Sequence, residues 1–108
     1  KLQGYALRVP VIDGSISSVI AQVEYKPDDA KQVNLLFKKK AQELKGVLEY
    51  SEDAIVSQDI VGNSNSCIID AELTSVSGNL VSIAGWYDNE FGYSHRLVDV
   101  AKLILSKS

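Results

Sequence analysis

The chain of 108 residues has little of what marks several large classes of protein. A single cysteine, Cys67, excludes an internal disulfide framework. The longest purely apolar runs are only a few residues and the first residues, KLQGYALRVP, form no hydrophobic signal region, so we expect a cytoplasmic protein without a membrane partner. Lys and Arg are scattered and the net charge is −3, which predicts no nucleic-acid partner because such binding usually needs a basic face.

The remaining composition is that of a folded protein of ordinary size. Hydrophobic residues make up 45% of the chain and charged residues 23%, which is a globular balance. The sequence shows no internal repeat, low-complexity tract or linker. We therefore interpret residues 1–108 as a single domain.

The first third of the chain predicts a β-hairpin. Residues 5–12, YALRVPVI, alternate between two faces as a strand does. Asp13 and Gly14 form a typical hairpin turn, and SISSVIAQVEY returns with the same alternation. These patterns predict that the first two strands pair antiparallel.

The rest of the chain predicts helices at two places with strands between them. After KPDD, apolar residues from Val33 to Leu44 recur at helical spacing, and Gly46 closes that helix. VLEY, AIVSQDIV, SCIIDAELTSV and LVSIAGWY read as strands, and a last helix runs from about Tyr93 to Leu105. This order predicts an α+β fold: a mixed, mostly antiparallel sheet covered by helix, with a C-terminal helix.

Arg8 is the first residue that could carry chemistry. Its predicted strand continues into Val9 and Pro10, where the chain is biased to stay extended. A guanidinium offers five donors in a fixed fork, which suits a bidentate grip on phosphate or carboxylate. The alternative is an arginine in a structural ion pair, and the residue alone leaves both interpretations open.

The second feature is WYDNEFGYSHR, residues 86–96, a polar and aromatic corner between a predicted strand and the last helix. Burying an acid or amide without a partner costs about 1 to 3 kcal/mol, so packing alone would favour apolar side chains there. Asn89 offers an amide donor and acceptor beside the aromatic rings. The corner is either a polar helix cap with aromatic packing or a surface that presents groups to a ligand.

Three stretches of the chain resemble one enzyme family. GYALRVPVIDGS, LKGVLEYSEDAIVSQDIVGNSNSCIIDA and WYDNEFGYSHRLVDVA are similar to the C-terminal, catalytic-domain part of glyceraldehyde-3-phosphate dehydrogenases, in the same order and over the whole chain. The resemblance implies a glycolytic oxidoreductase that, when complete, converts glyceraldehyde 3-phosphate and inorganic phosphate to 1,3-bisphosphoglycerate with NAD. It also implies a homotetramer for the complete enzyme.

The resemblance assigns roles to three residues of this chain. By position in the RVP motif, Arg8 is expected to bind substrate phosphate or inorganic phosphate. By position in YDNEF, Asn89 is expected to contact the nicotinamide carboxamide of NAD, and Tyr93 of FGYS to pack near the nicotinamide ring.

The catalytic groups of the family have no counterpart here. The family uses a cysteine thiolate from a Cys-Thr-Thr-Asn stretch and a histidine as base. That stretch does not occur in these 108 residues, and neither Cys67 nor His95 falls at the family's catalytic positions. Cys67 and His95 are interpreted as structural, and no metal site is predicted. The glycine fingerprint of dinucleotide-binding domains is also absent, so we expect the nucleotide-binding half to precede Lys1. The 108 residues alone are then expected to be inactive and to self-associate.

Two other interpretations remain open. A fragment of erythrose-4-phosphate dehydrogenase would share these motifs, and a non-catalytic binding or assembly module could keep the same fold. The chain also departs from the usual family pattern, with Ser18 where Asp is frequent, Glu49 for Gly and Asn65 for His. These departures bear on fine packing more than on the family.

Overall fold

A computed structural model describes residues 3–108. Along the chain it contains β1 (Ser15–Gln22), α1 (Ala30–Glu43), β2 (Leu48–Ser51), α2 (Ser57–Ile60), β3 (Cys67–Asp70), a 3₁₀ turn (Ala71–Leu73), β4 (Ser75–Ser77), β5 (Leu80–Tyr87) and α3 (Asn89–Lys107). This is the α+β fold that the sequence predicts, including its C-terminal helix.

Strand β5 is the centre of the sheet. Strand β1 pairs antiparallel along its whole length, from Ser15 opposite Tyr87 to Gln22 opposite Leu80. On the other edge of β5, β3 and β4 also pair antiparallel, and β2 extends the sheet by pairing parallel with β3. The prediction of a mixed, mostly antiparallel sheet is therefore confirmed.

The predicted N-terminal hairpin is wrong. Residues 5–12 belong to no strand, and β1 pairs with β5 rather than with them. Asp13 and Gly14 do form a turn: the Asp13 carboxylate accepts the Gly14 N–H at 2.7 Å, and Gly14 has a φ of +94°. However, the turn lies against α2, and Pro10 cannot donate to a strand ladder. A two-stranded hairpin is also marginal by itself, whereas β5 offers β1 an eight-residue partner.

Helix α1 forms where the sequence predicts it because local hydrogen bonds mark both of its ends. The Asp29 side chain caps the start by accepting the Gln32 N–H at 2.9 Å, and the Leu44 N–H reaches Lys40 O at 2.9 Å at the end. Val33 is the buried residue of this helix. Gly46 follows with a φ of +80°, which turns the chain into β2.

Two segments predicted as single strands fold differently: AIVSQDIV forms no strand, and SCIIDAELTSV forms two strands with a turn between them. AIVSQDIV contains the short helix α2, because the Asp59 carboxylate accepts the Val56 N–H at 2.8 Å and favours a helical turn over a ladder. SCIIDAELTSV is divided at Asp70, whose carboxylate accepts the Glu72 N–H at 3.1 Å and starts the 3₁₀ turn. Its other oxygen accepts the Trp86 indole N–H at 2.9 Å, which ties the turn to β5.

The buried core is small for the length of the chain. Among the described residues, the buried apolar side chains are Val33, Ile60, Ile68, Ile69, Val81 and Ala84. The Cα radius of gyration is 15.4 Å, whereas a compact domain of this length has about 13 Å. An apolar groove of about 310 Å³ lies open between β1, β5 and α1. The fold therefore leaves much of its apolar surface uncovered.

Within residues 3–108, no helix combines the length and apolar character needed to cross a membrane.

Candidate functional site

The corner between β5 and α3 is built on the carboxylate of Asp88. This side chain is only 4% exposed and accepts three backbone N–H groups. One oxygen accepts from Glu90 at 3.1 Å and Phe91 at 2.9 Å, which caps α3, and the other accepts from Gly62 at 2.9 Å. The buried acid of the corner is thus satisfied by the backbone, and it joins α3 to the loop that precedes β3.

These contacts favour the ionised form of Asp88. The Gly62 N–H, followed by the Phe91 N–H, holds the pKa of the Asp88 carboxyl below its ordinary value. The N-terminal end of α3 adds a favourable field for a negative charge. The capped carboxylate therefore stabilises the corner most when it is charged.

The inner side of α3 rests on residues 62–66, a segment that we call the seat loop. A Cβ built on Gly92 would lie 2.8 Å from the carbonyl oxygen of Asn65, so glycine permits the close approach of helix and loop. One turn further, Arg96 donates from Nη1 to Ser66 Oγ at 3.2 Å and pairs through Nη2 with Asp99 at 2.8 Å. Asp88, Gly92 and Arg96, spaced four residues apart, hold α3 on the seat loop.

Asn89 and Tyr93 lie on a neighbouring side of α3 and face outward. The two residues are one helical turn apart, and both are exposed, Tyr93 by 65%. The Asn89 carboxamide makes no hydrogen bond with another residue between 3 and 108. The corner does contain the polar helix cap that the sequence leaves open, but the capping side chain is Asp88, so the Asn89 carboxamide is not used for capping. An amide with free donor and acceptor and an exposed aromatic ring thus share one surface.

Arg8 lies in the segment that precedes β1. Its segment is extended and exposed, and the guanidinium forms no ion pair or hydrogen bond within the described part of the chain. The structural ion pair considered for Arg8 is therefore not present among these residues. Within the described residues, no hydrogen bond or ion pair joins Arg8 to Asn89 or Tyr93.

Cys67 and His95 have the surroundings of structural residues. Cys67 is half-buried on β3, with its Sγ in the space that the missing side chain of Gly85 leaves. Burial raises the pKa of the Cys67 thiol, which disfavours the nucleophilic thiolate. His95 Nδ1 is 2.9 Å from the Phe91 carbonyl oxygen, and the two rings lie 4.6 Å apart within α3. In the described range, no cluster of three His, Cys, Asp or Glu residues could hold a metal ion.

Comparison with known proteins agrees with this architecture. A family profile described as "Glyceraldehyde 3-phosphate dehydrogenase, C-terminal domain" matches residues 1–89. The chain therefore belongs to the glyceraldehyde-3-phosphate dehydrogenase family, and the matched region is its C-terminal domain.

Curated relatives match almost the whole chain. Glyceraldehyde-3-phosphate dehydrogenase of Streptomyces coelicolor is 49% identical over 96% of the chain and 32% of the relative. The enzymes of that name from Mycobacterium avium and Geobacillus stearothermophilus are each 47% identical, over 96% and 99% of the chain and 31% and 32% of the relative. The chain thus spans about a third of the length of these relatives.

The corner yields a prediction about pH. Because the folded-state pKa of Asp88 is lowered, its contribution to stability is complete above the unfolded-state pKa of about 4 and is lost as pH falls through the folded-state value. Asp88→Asn should lower the free energy of unfolding by about 1 kcal/mol or more at neutral pH, since charge-assisted bonds are stronger than neutral ones. The deficit should shrink as pH falls below 4.

Urea unfolding of both proteins across this pH range measures the effect. The matched control is Asp28→Asn, which neutralises an exposed carboxyl near α1. Asp13 approaches the Asp88 carboxyl, so its substitution to Asn tests whether the neighbouring acid contributes to the pH dependence. A deficit in Asp88→Asn that stays constant from neutral to acid pH would contradict the prediction.

Proposed function

We propose that this chain supplies cofactor and phosphate contacts to a dehydrogenase that oxidises and phosphorylates glyceraldehyde 3-phosphate to 1,3-bisphosphoglycerate with NAD, a step of glycolysis. Membership of the family and the names of the relatives support the reaction. The observation that carries the role of this chain is the free carboxamide of Asn89 on the first turn of α3, beside the buried cap Asp88.

The surface of Asn89 and Tyr93 fits a nicotinamide. The carboxamide of Asn89 can donate to and accept from a second carboxamide, which is the polar group of that ring. The exposed ring of Tyr93, one turn away, offers an apolar wall. NAD, when bound, supplies the hydride acceptor, and these two side chains would bind and orient its reactive end.

Arg8 fits the phosphate of the substrate or free inorganic phosphate. Its guanidinium is exposed and unpaired within the described residues, so its charge is available to an anion. Bidentate bonds from a guanidinium to phosphate oxygens give orientation as well as affinity. Arg8 would therefore act on the phosphate side of the reaction, and the Asn89 surface on the cofactor side.

Kinetics of the complete enzyme separate these two roles. Arg8→Ala should lower kcat/KM for the phosphate-bearing aldehyde on the order of tenfold to a hundredfold, because charge-assisted hydrogen bonds are lost. Asn89→Ala should raise the KM for NAD or lower kcat by about fivefold, through lost amide bonds of about 1 kcal/mol each. Each change should leave the other side of the reaction nearly unaltered. Steady-state rates with NAD, aldehyde and phosphate varied separately measure both.

Matched controls come from residues near the other end of β5, the exposed Lys26 and the half-buried Asn79. Lys26→Ala removes one positive charge and Asn79→Ala removes one carboxamide, and neither should change any constant by more than about twofold. The assignment is wrong if Arg8→Ala chiefly raises the KM for NAD, or if Arg8→Ala and Asn89→Ala behave like these controls.

The 108-residue polypeptide by itself should have no dehydrogenase activity. Its only thiol is half-buried with a raised pKa, and its only histidine is engaged by its own helix. Neither group can serve as an activated nucleophile or its base. Formation of NADH from aldehyde, phosphate and NAD by the purified polypeptide, above the rate without protein, would refute this prediction.

We also propose that the complete enzyme is a homotetramer, as the family resemblance implies, and that the polypeptide by itself self-associates. Strand β1 is an edge of the sheet, and Val19 and Ile20 on it are 50% and 71% exposed. Light scattering should give a mass above 11.8 kDa, and Ile20→Lys should lower it. Leu73→Lys, on the exposed 3₁₀ turn, is the control that should not. A monomeric mass at high concentration would oppose the prediction.

The cytoplasmic location also stays a prediction.

A further inference from the structure

Glu49 is a half-buried carboxylate on β2 that faces the seat loop. Its Oε2 atom accepts hydrogen bonds from two side-chain amides, those of Asn63 and Asn65, both at 2.8 Å. Within residues 3–108 it has no ion-pair partner. The charge of Glu49 is therefore directed at this loop.

The two asparagines are also bonded to each other. Asn63 Oδ1 accepts from the backbone N–H of Asn65 at 2.9 Å and from its side-chain amide at 3.0 Å. Glu49 thus completes a small network in which one carboxylate oxygen orients the side-chain amides of Asn63 and Asn65. Such a network favours one conformation of the loop, because each of its members limits the conformations of the others.

The seat loop is also what α3 rests on. The carbonyl oxygen of Asn65 lies directly against Gly92, and the Gly62 N–H is bound by Asp88. The helix can approach the loop closely only where the Asn65 carbonyl stays in place. A displacement of Asn65 is therefore transmitted to the first two turns of α3, which carry Asn89 and Tyr93.

We propose that Glu49 is a positioning residue for the cofactor side of the site. Acting through Asn63 and Asn65, it holds the seat loop in the conformation that sets the orientation of Asn89 on α3. This inference rests on the proposed function for its kinetic consequence, whereas its structural consequence at the start of α3 can be measured independently.

The experiment compares Glu49→Ala and Glu49→Gln with Glu52→Ala in the complete enzyme. Glutamine keeps the length of the side chain and one oxygen that can accept both amides, so it should restore most of the effect. Glu52, just after the same strand, pairs with Lys38 at 2.9 Å in an exposed position, so its removal changes the net charge equally without touching the loop.

Two readouts are taken. In Glu49→Ala, hydrogen exchange of the amides of Gly62, Phe91 and Gly92 should accelerate on the order of tenfold, because their partners are less well held. The KM for NAD should rise about threefold to tenfold while the KM for phosphate stays unchanged, which is the split expected of a residue acting through Asn89. Glu52→Ala should change neither.

The outcomes separate this inference from the proposed function. The inference is overturned if Glu49→Ala and Glu52→Ala give the same amide exchange rates and the same KM for NAD. It is also overturned if Glu49→Ala accelerates exchange but leaves the KM for NAD unchanged, while Asn89→Ala raises that KM. If Asn89→Ala alters neither the KM for NAD nor kcat, the proposed function is wrong. Accelerated exchange at Phe91 and Gly92 in Glu49→Ala would then still support the positioning of α3.

Discussion

The arrangement of the corner depends on the three backbone hydrogen bonds that the Asp88 carboxylate accepts. Two of them start α3 at the end of β5, and the third holds Gly62 of the seat loop. One buried side chain therefore fixes the direction of the helix and the position of the loop beneath it. Because the capping role is filled by Asp88, the neighbouring amide of Asn89 remains available for other contacts.

Elements whose signals are local could be predicted from the sequence. The spacing of apolar residues predicted α1, and the apolar run before the corner predicted β5. The N-terminal hairpin and the strand over AIVSQDIV were wrong because their outcome depends on competing partners. β1 is paired by a strand some 65 residues later, and Asp59 bonds its own backbone in α2. Helix α3 begins four residues earlier than predicted, since its cap is Asp88.

The exposed residues of the candidate site were chosen from the sequence, whereas the contacts that support them become visible only in the structure. Arg8, Asn89 and Tyr93 follow from motifs that resemble a family, and their exposure is consistent with contact to ligands. An aspartate three residues before Phe91 is a usable capping signal, although it does not reveal the bond to Gly62. Glu49 and Asn65 are joined by a hydrogen bond that spans 16 residues of sequence. Nothing in the pattern of either segment indicates that pairing.

Helical periodicity explains how one short corner can be both buried and exposed. Residues at four-residue spacing from Asp88 fall on the seat loop, where a carboxylate, a glycine and a guanidinium each make a specific contact. The same spacing from Asn89 places Tyr93 beside it on the neighbouring, open side. Changes in the seat loop therefore reach Asn89 through the position of the whole helix, whereas a change at Asn89 alters only an exposed side chain and leaves the helix where it is. The contacts to the seat loop and the exposed surface of Asn89 and Tyr93 are in this way carried by different residues of the same two turns.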